Sequence, residues 1–356
     1  PEQDDDRRWL RFMAPLRLLM SYAGEAPVAR LAIHPMTMNV RGAVVRMGGI
    51  GGVSTLPEGR RKGHVRALMT RAFQHMHEDG LVVSALYPFR ESFYERLGYA
   101  GWPRARHTTV VPADLVPLLR MERPWTVEHS RIAEGYEAWA SFLRAYQAGH
   151  HGFALSHPEN MAGVKEENRH WVVLVREGGE ITGAMTYRIT GWQGSLLAHT
   201  FYPRTVVARY ALLEWIARHA DQVREARIRI PPDELPELWL RDVEAPTTTQ
   251  DPEAWNAPMG RIVSVEGLEG IPAGDGEVMV EIVDEYCPWN AAVWTLRGRQ
   301  GELAVEPGGK AAARLTIQGL AALLFTGMEP EALAWRGWGT VDAATAASLR
   351  ALFPPA

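Results

Sequence analysis

One stretch constrains the fold of this chain more than any other: Gly51-Gly52-Val53-Ser54-Thr55-Leu56-Pro57-Glu58-Gly59-Arg60-Arg61-Lys62-Gly63-His64-Val65-Arg66-Ala67-Leu68-Met69. Small and β-branched residues up to Thr55 suit an extended segment. Pro57 and Gly59 punctuate it. From Val65 onward the apolar residues Val65, Leu68, Met69, Ala72, Phe73 and Met76 recur at i, i+3, i+4 and i+7, the period of an amphipathic helix, which Asp79-Gly80 closes. The segment therefore reads as strand, loop, helix. Its loop places Arg60, Arg61 and Lys62 at the helix start, where cations oppose the macrodipole. First-turn N–H groups have no intrahelical partner, and Gly63 lets backbone approach a ligand closely. Cations gathered on the positive end of a helix make sense around an anion, so the loop reads as a phosphate or pyrophosphate cradle. A solvated basic turn ahead of an ordinary helix is the alternative.

After the helix come an apolar strand, Leu81 to Leu86, then Tyr87-Pro88-Phe89, then Glu91-Ser92-Phe93-Tyr94-Glu95-Arg96-Leu97-Gly98-Tyr99. Arg60-Arg61-Lys62-Gly63-His64-Val65 resembles the R-x-x-G-x-(G/A) loop by which the GNAT superfamily of N-acetyltransferases holds the pyrophosphate of acetyl-CoA, with Val65 standing where Gly or Ala is usual. Phe93-Tyr94 followed by Gly98-Tyr99 resembles that superfamily's F-Y-x-x-x-G-(Y/F/W) ending. The resemblance implies a sheet with an antiparallel front and a parallel back. The strand ending at Thr55 splays from the strand starting near Leu81, and the gap receives the pantetheine arm. It also implies site residues. Val53 and Thr55 offer backbone to the pantetheine amide, and Ser54 between them belongs to the cofactor site. Arg60, Arg61, Lys62, Gly63, His64, Val65 and Arg66 surround the pyrophosphate. Phe89 and Arg90 contact the acetyl end or arm, and Tyr94 is the general acid. No metal is implied.

The chain of 356 residues is long enough for two or three domains. A net charge of −4 without a long basic block argues against a nucleic-acid partner. The single Cys287 excludes an intrachain disulfide and a cysteine-rich metal site, which fits a reducing cytoplasm. No apolar run reaches membrane-spanning length and no signal peptide is visible. The sequence starts at Pro1 without Met, within a helical pattern, which reads as a missing N-terminus.

Taken in order, residues up to about 17 read as helix. Leu18 to Tyr22 with Val28 to Ile33 read as one hairpin, and Met36 to Val40 with Ala43 to Thr55 as another. A composition shift falls near Met121 to Pro124. Beyond it, helix (Glu134 to Ala148), strands (Trp171 to Arg176, Ile181 to Trp192, Leu196 to Tyr202), helix (Thr205 to His219) and strand (Ala226 to Ile230) repeat the first order. The matching loop, Tyr202-Pro203-Arg204-Thr205-Val206-Val207, has no glycine and one cation, so this second copy has lost its cofactor site; an unrelated α/β domain is the alternative. Asp251-Pro252 and Asn256-Ala257-Pro258 mark a further boundary. Beyond it run strands Val278 to Val283, Ala291 to Leu296, Leu303 to Val305 and Ala313 to Ile317, and a helix, Gln318 to Phe325. Trp294 and Thr316 to Leu324 resemble a sterol-carrier-protein domain. Nearly the whole chain thus resembles the Eis (enhanced intracellular survival) family, in which that domain follows tandem GNAT domains. The expected fold is α/β (α+β): two GNAT-like mixed-sheet domains, 1–122 catalytic and 123–250 degenerate, followed by a sterol-carrier-protein-like α+β domain, 251–356.

The chemistry implied is acetyl transfer from acetyl-CoA to a primary amine of a small polyamine or aminoglycoside-like substrate. An alkyl ammonium has a pKa near 10.4, so only roughly one in a few thousand is neutral at pH 7, and a base or a site that disfavours ammonium is required. A phenol near the sulfur can protonate the leaving thiolate if tuned by about a unit or more; Tyr94 stands where the family places that acid, and a core tyrosine is the alternative. In the Eis family the base is the C-terminal carboxylate. The family's usual aromatic C-terminal residue does not follow Leu352-Phe353-Pro354-Pro355-Ala356, so no base is assigned. His150, His151 and His157 lack a carboxylate or cysteine at ligand spacing, and His75 and His77 face apart on their helix, so all read as structural or surface residues. Family resemblance implies a homo-oligomer, a trimer or hexamer. A non-catalytic acyl-CoA- or lipid-binding protein is the second reading.

Overall fold

The computed structural model describes residues 16–232, 234–250 and 256–355. The helix expected before residue 17 lies outside them. The described residues divide into two units. One is built from the chain up to Pro103, from Gln147–Glu159 and from Asn256 onward; the other from Arg104–Tyr146 and from Asn160 to 250.

The first unit opens with β1 (Arg17–Ala23), β2 (Ala26–Val40) and β3 (Ala43–Thr55), followed by helix α1 (His64–Glu78), β4 (Val83–Leu86), the short helix α2 (Glu91–Glu95) and β5 (Ala100–Gly101). The expected two hairpins share one strand. β2 pairs antiparallel with β1 from Arg17↔Ile33 and with β3 to Val40↔Ala43, running unbroken through His34-Pro35. Pro35 is tolerated because β1 has ended by this point and the strand Ala154–Ser156 joins only from Met36 onward, so the missing N–H interrupts no ladder. α1 buries Leu68, Met69, Ala72, Phe73 and Met76, the stripe its sequence period marks, against Leu31 and Ile33 of β2. Each of the larger side chains among them contributes roughly 1.5–3 kcal/mol on burial.

The strand Met259–Ile262, which has no sequence signature beyond its apolar ends, enters this sheet between β4 and β5, antiparallel to both. A five-stranded sheet follows, in the order Glu302–Pro307, Val293–Arg299, Glu277–Val283, Ala313–Thr316, Gly339–Thr340. The helix Ile317–Thr326 packs on it, capped by Thr316, whose side chain accepts from the Gly319 amide. Its apolar residues merge with Met38, Val40, Met47 and Val83 of the first sheet in one core.

The second unit is a seven-stranded sheet, in the order Thr247–Thr248, Arg106–Val110, Glu225–Ile230, Ser195–Pro203, Glu180–Ile189, Trp171–Glu177, Thr126–Arg131. Only Ser195–Pro203 and Glu225–Ile230 pair in parallel. Between them runs the helix Val206–Ala217, with Ala208, Ala211, Leu212, Leu213 and Ile216 buried.

Candidate active site

β3 pairs with β4 only where Met47 to Gly49 face Val83 to Ala85. Beyond that fork, Ile50 to Thr55 pair with β2 on one side and, among the described residues, with no strand on the other. A cleft of about 820 Å³ opens there, lined by Val53, Ser54 and Thr55 of β3, by Gly59, Arg60 and Arg61, by Gly63, His64, Val65 and Arg66, and by Phe89 and Phe93. Most of the residues expected around a cofactor therefore share one cavity. Lys62 and Arg90 are exposed and do not line it, and Tyr94 stands behind its wall. Gly59 and Phe93 line it without having been singled out by sequence as contacts.

Local conformation explains the loop. α1 begins at His64, with Gly63 as the residue before its first turn, at φ +84°, and no side chain caps the helix. A Cβ at Gly63 would meet nothing within 4 Å, so the backbone angle demands glycine here and the space above it is open. Arg61 is also left-handed, at φ +59°. Uncapped first-turn amides with Arg60, Arg61 and Arg66 on the same cavity form a cationic concavity. The His64 ring is tied to β1, its Nδ1 2.8 Å from Ser21 Oγ.

Two adjacent tyrosines have different fates. The Tyr99 hydroxyl lies 2.8 Å from Ser84 Oγ, which itself donates to the Gly48 carbonyl at 2.8 Å, so Tyr99 donates to Ser84 and ties β4 to β3 at the fork. Tyr94 is 3 % exposed, and its hydroxyl makes no hydrogen bond among the described residues. Its ring meets Phe89 edge-on at 5.7 Å, Phe93 at 5.0 Å and Tyr99 at 6.0 Å. Burial pushes its phenol up to about 12. This shift runs opposite to the tuning that a free acid would need.

The second unit treats the corresponding helix differently. Thr205 caps Val206–Ala217, its side chain accepting from the Ala208 amide. The Thr205 hydroxyl also donates to Glu177 Oε1 at 2.5 Å, and so does Thr182. Arg204 pairs with Glu180 and Arg209 with Glu234.

The histidines have structural partners. His151 Nδ1 accepts from the Arg41 amide at 2.8 Å, so its Nε2–H donates to the Phe325 carbonyl at 2.9 Å. His77 stacks on Trp289 at 4.3 Å, and His75 pairs with Glu78. Among the described residues no three His, Cys, Asp or Glu side chains converge to hold a metal, and no helix is long and apolar enough to cross a membrane.

Comparison with known proteins agrees with this geometry. Residues 1–101 and 153–262 each match an acetyltransferase (GNAT) domain family, and residues 266–356 a sterol carrier protein domain. An uncharacterized N-acetyltransferase of Streptomyces coelicolor is 25% identical over 281 residues, 72% of this chain and 65% of the relative. The match thus spans slightly less than two thirds of that protein's length. A GCN5-related N-acetyltransferase from Anabaena variabilis superposes with TM-score 0.86 at 20% identity, over 99% of this chain and 91% of the other. A probable N-acyltransferase from Enterococcus faecalis gives 0.85 at 23% over 100% and 91%, and Eis1 from Mycobacterium abscessus 0.77 at 18% over 100% and 96%. At these identities the likeness is one of fold. The chain carries GNAT acetyltransferase domains. It carries two such domains in tandem, with a sterol carrier protein domain at the C-terminal end.

Proposed function

We propose that this protein transfers the acetyl group of acetyl-CoA to a primary amine of a small polyamine or aminoglycoside-like substrate. The observation that carries the reading is the cleft at the fork, where an unpaired strand edge and an uncapped, arginine-ringed helix start share one cavity. The free edge at Val53 and Thr55 suits a pantetheine amide, and the helix start suits a pyrophosphate. The neutral amine nitrogen attacks the thioester carbonyl and gives up its surplus proton to solvent, the C–S bond breaks, and the departing sulfur takes a proton from the Tyr94 hydroxyl, which solvent then restores.

A phenol near 12 facing a thiol of pKa ~8.5 is a poor donor on paper, by roughly 3–4 units. Desolvation acts on both partners, however. A thiolate formed in the same water-poor pocket is raised as the phenol is, and the mismatch shrinks. Burial also keeps the phenol protonated throughout the working pH range. Because Tyr99 is committed to Ser84, Tyr94 is the tyrosine of this turn with a hydroxyl left to give.

The cleft lining carries arginines and, among the described residues, no carboxylate, so it suits the anionic co-substrate and not an ammonium. In the C-terminal domain, a cavity beside Leu323, Met328 and Phe353 holds about 70 Å³, below the roughly 300–1,000 Å³ of sites that enclose a small organic ligand.

Tyr94→Phe keeps the ring and removes the proton. Turnover, read as thiol release from acetyl-CoA with spermidine or kanamycin, is expected to fall ~10²–10⁴-fold, with acetyl-CoA affinity nearly unchanged. Turnover near that of the parent would remove the acid role. Absence of thiol release with any amine of a broad panel would remove the enzyme reading.

A further inference from the structure

The turn that carries Tyr94 is held from outside its own domain. Glu95, the next residue, is gripped three times by the C-terminal domain. Gln318 Nε2 donates to its carbonyl at 2.7 Å, Trp338 Nε1 to its Oε1 at 3.2 Å, and Arg336 Nη2 to its Oε2 at 3.1 Å. The Arg336 guanidinium lies over the Trp338 ring at 4.3 Å, which fixes both donors together. Two residues further on, the Leu97 carbonyl accepts from Arg261, whose other terminal nitrogen is bound by Asp284. Gly98 completes the grip. It sits at φ +92°, and a Cβ there would fall 1.4 Å from Arg261 Nη1 and 3.0 Å from Ile317. Within the turn, the Leu97, Gly98 and Tyr99 amides donate to the Tyr94, Glu95 and Tyr94 carbonyls.

A surface salt bridge alone would mean little, since exposed pairs are worth ~0–1 kcal/mol. Here Gln318, Arg336 and Trp338 of the C-terminal domain, with Arg261 of the strand that leads into it, converge on the Glu95 carboxylate and on the Glu95 and Leu97 carbonyls, at and just beyond the end of a five-residue helix. A helix that short has no stability of its own. Its orientation, and with it that of the Tyr94 ring, is set by what grips its end. We infer that the C-terminal domain serves as a brace for the acid-bearing turn, with Glu95 as positioning residue. Its catalytic consequence rests on the reading of Tyr94 as the acid. The domain with a lipid carrier's shape thus contributes to acetyl transfer by fixing the geometry of a group it does not itself carry.

The test combines exchange and kinetics on the full chain. In Glu95→Ala and in Gln318→Ala, hydrogen exchange at the Leu97, Gly98 and Tyr99 amides is expected to quicken about tenfold or more. Turnover should fall about 10–100-fold, as for a misplaced catalytic group, while acetyl-CoA binding by calorimetry stays within about twofold. Glu95→Gln keeps an acceptor for Trp338 and should recover most of the rate. Arg350→Ala, which breaks the Glu331 pair on the same domain far from the turn in sequence, should change neither readout. In the Tyr94→Phe background, Glu95→Ala should cost nothing further. Unchanged exchange in both single variants overturns the brace, and so does an equal rate loss in both tyrosine backgrounds. If Tyr94→Phe itself retains full turnover, the acid reading falls, and the exchange result decides the brace alone.

Discussion

Asp284→Ala tests the deepest electrostatic commitment of the first unit. Arg261 is fully buried and Asp284 nearly so, with Arg261 Nη2 2.7 Å from each carboxylate oxygen. The guanidinium also sits over Phe73 at 4.3 Å and 2.8 Å from Cys287 Sγ, with its Nε lacking a partner among the described residues. Removing the carboxylate leaves a cation with no route to water. Asp284 additionally accepts from the Tyr286 and Cys287 amides and from Asn290 Nδ2, all at 3.0–3.1 Å, so those donors are orphaned as well. Breaking a buried pair from one side costs about 3–5 kcal/mol. At roughly 2–4 °C per kcal/mol for a unit of this size, thermal unfolding should fall by about 6–20 °C. Calorimetry or circular dichroism reads it directly. The decisive variant is Asp284→Ala with Arg261→Met. If the loss comes from an uncompensated charge, the double variant is more stable than Asp284→Ala alone, because no cation remains to be buried. Simple addition of the two losses, or a loss below about 1 kcal/mol for Asp284→Ala, would refute the reasoning.

Three further outcomes follow from the cleft and its tyrosine. Gly63→Asp places a side chain at φ +84° and a negative charge at the helix start, so acetyl-CoA should bind at least about fivefold more weakly; an unchanged dissociation constant in a folded variant counts against the loop. Calorimetric titration with acetyl-CoA should give one site per chain, and two equal sites would contradict the closed second helix start. Tyr94 is raised on folding from its ordinary value of 10 to about 12. The stability this gives is full below about pH 10 and is lost as pH rises from there through about 12. The stability of the parent relative to Tyr94→Phe, read from denaturant melts, should therefore fall as pH rises across that window; parallel curves would show that Tyr94 titrates normally.

Much of this was readable in the sequence because local rules act on consecutive residues. The apolar stripe from Val65 to Met76 is a period, and the buried face follows it from Leu68 onward, with Val65 half-buried on the cleft wall. The positive φ of Gly63 and Gly98 is written in the residue type. What sequence could not disclose depends on partners distant in the chain. Met259–Ile262 is a strand because β4 and β5 leave it a slot, and its glycine and arginine hide the alternation. The single strand β2 looked like two because Pro35 normally ends one, and only the places where its neighbours start and stop make it acceptable. The brace on Glu95 comes from residues more than two hundred positions away. Gly98 was its one local trace: a glycine that is obligatory not for the turn alone but because Arg261 occupies the space of its side chain.

The two helix starts show how one arrangement is kept open and another closed. Every helix begins with amides that need an acceptor. At α1 no side chain among the described residues caps the helix, and Arg60, Arg61 and Arg66 line the same cavity. At Val206–Ala217 the chain supplies its own: the Thr205 hydroxyl takes the Ala208 amide and hands its own proton to Glu177. An internal carboxylate thus stands beside the place a phosphate would take, and it repels one. Reopening that site would need more than Glu177→Gln, which removes the charge but leaves the Thr205 cap and restores no glycine. Glu177→Gln should therefore still bind a single acetyl-CoA per chain. A second site in that variant would mean that the carboxylate alone had kept the helix start closed.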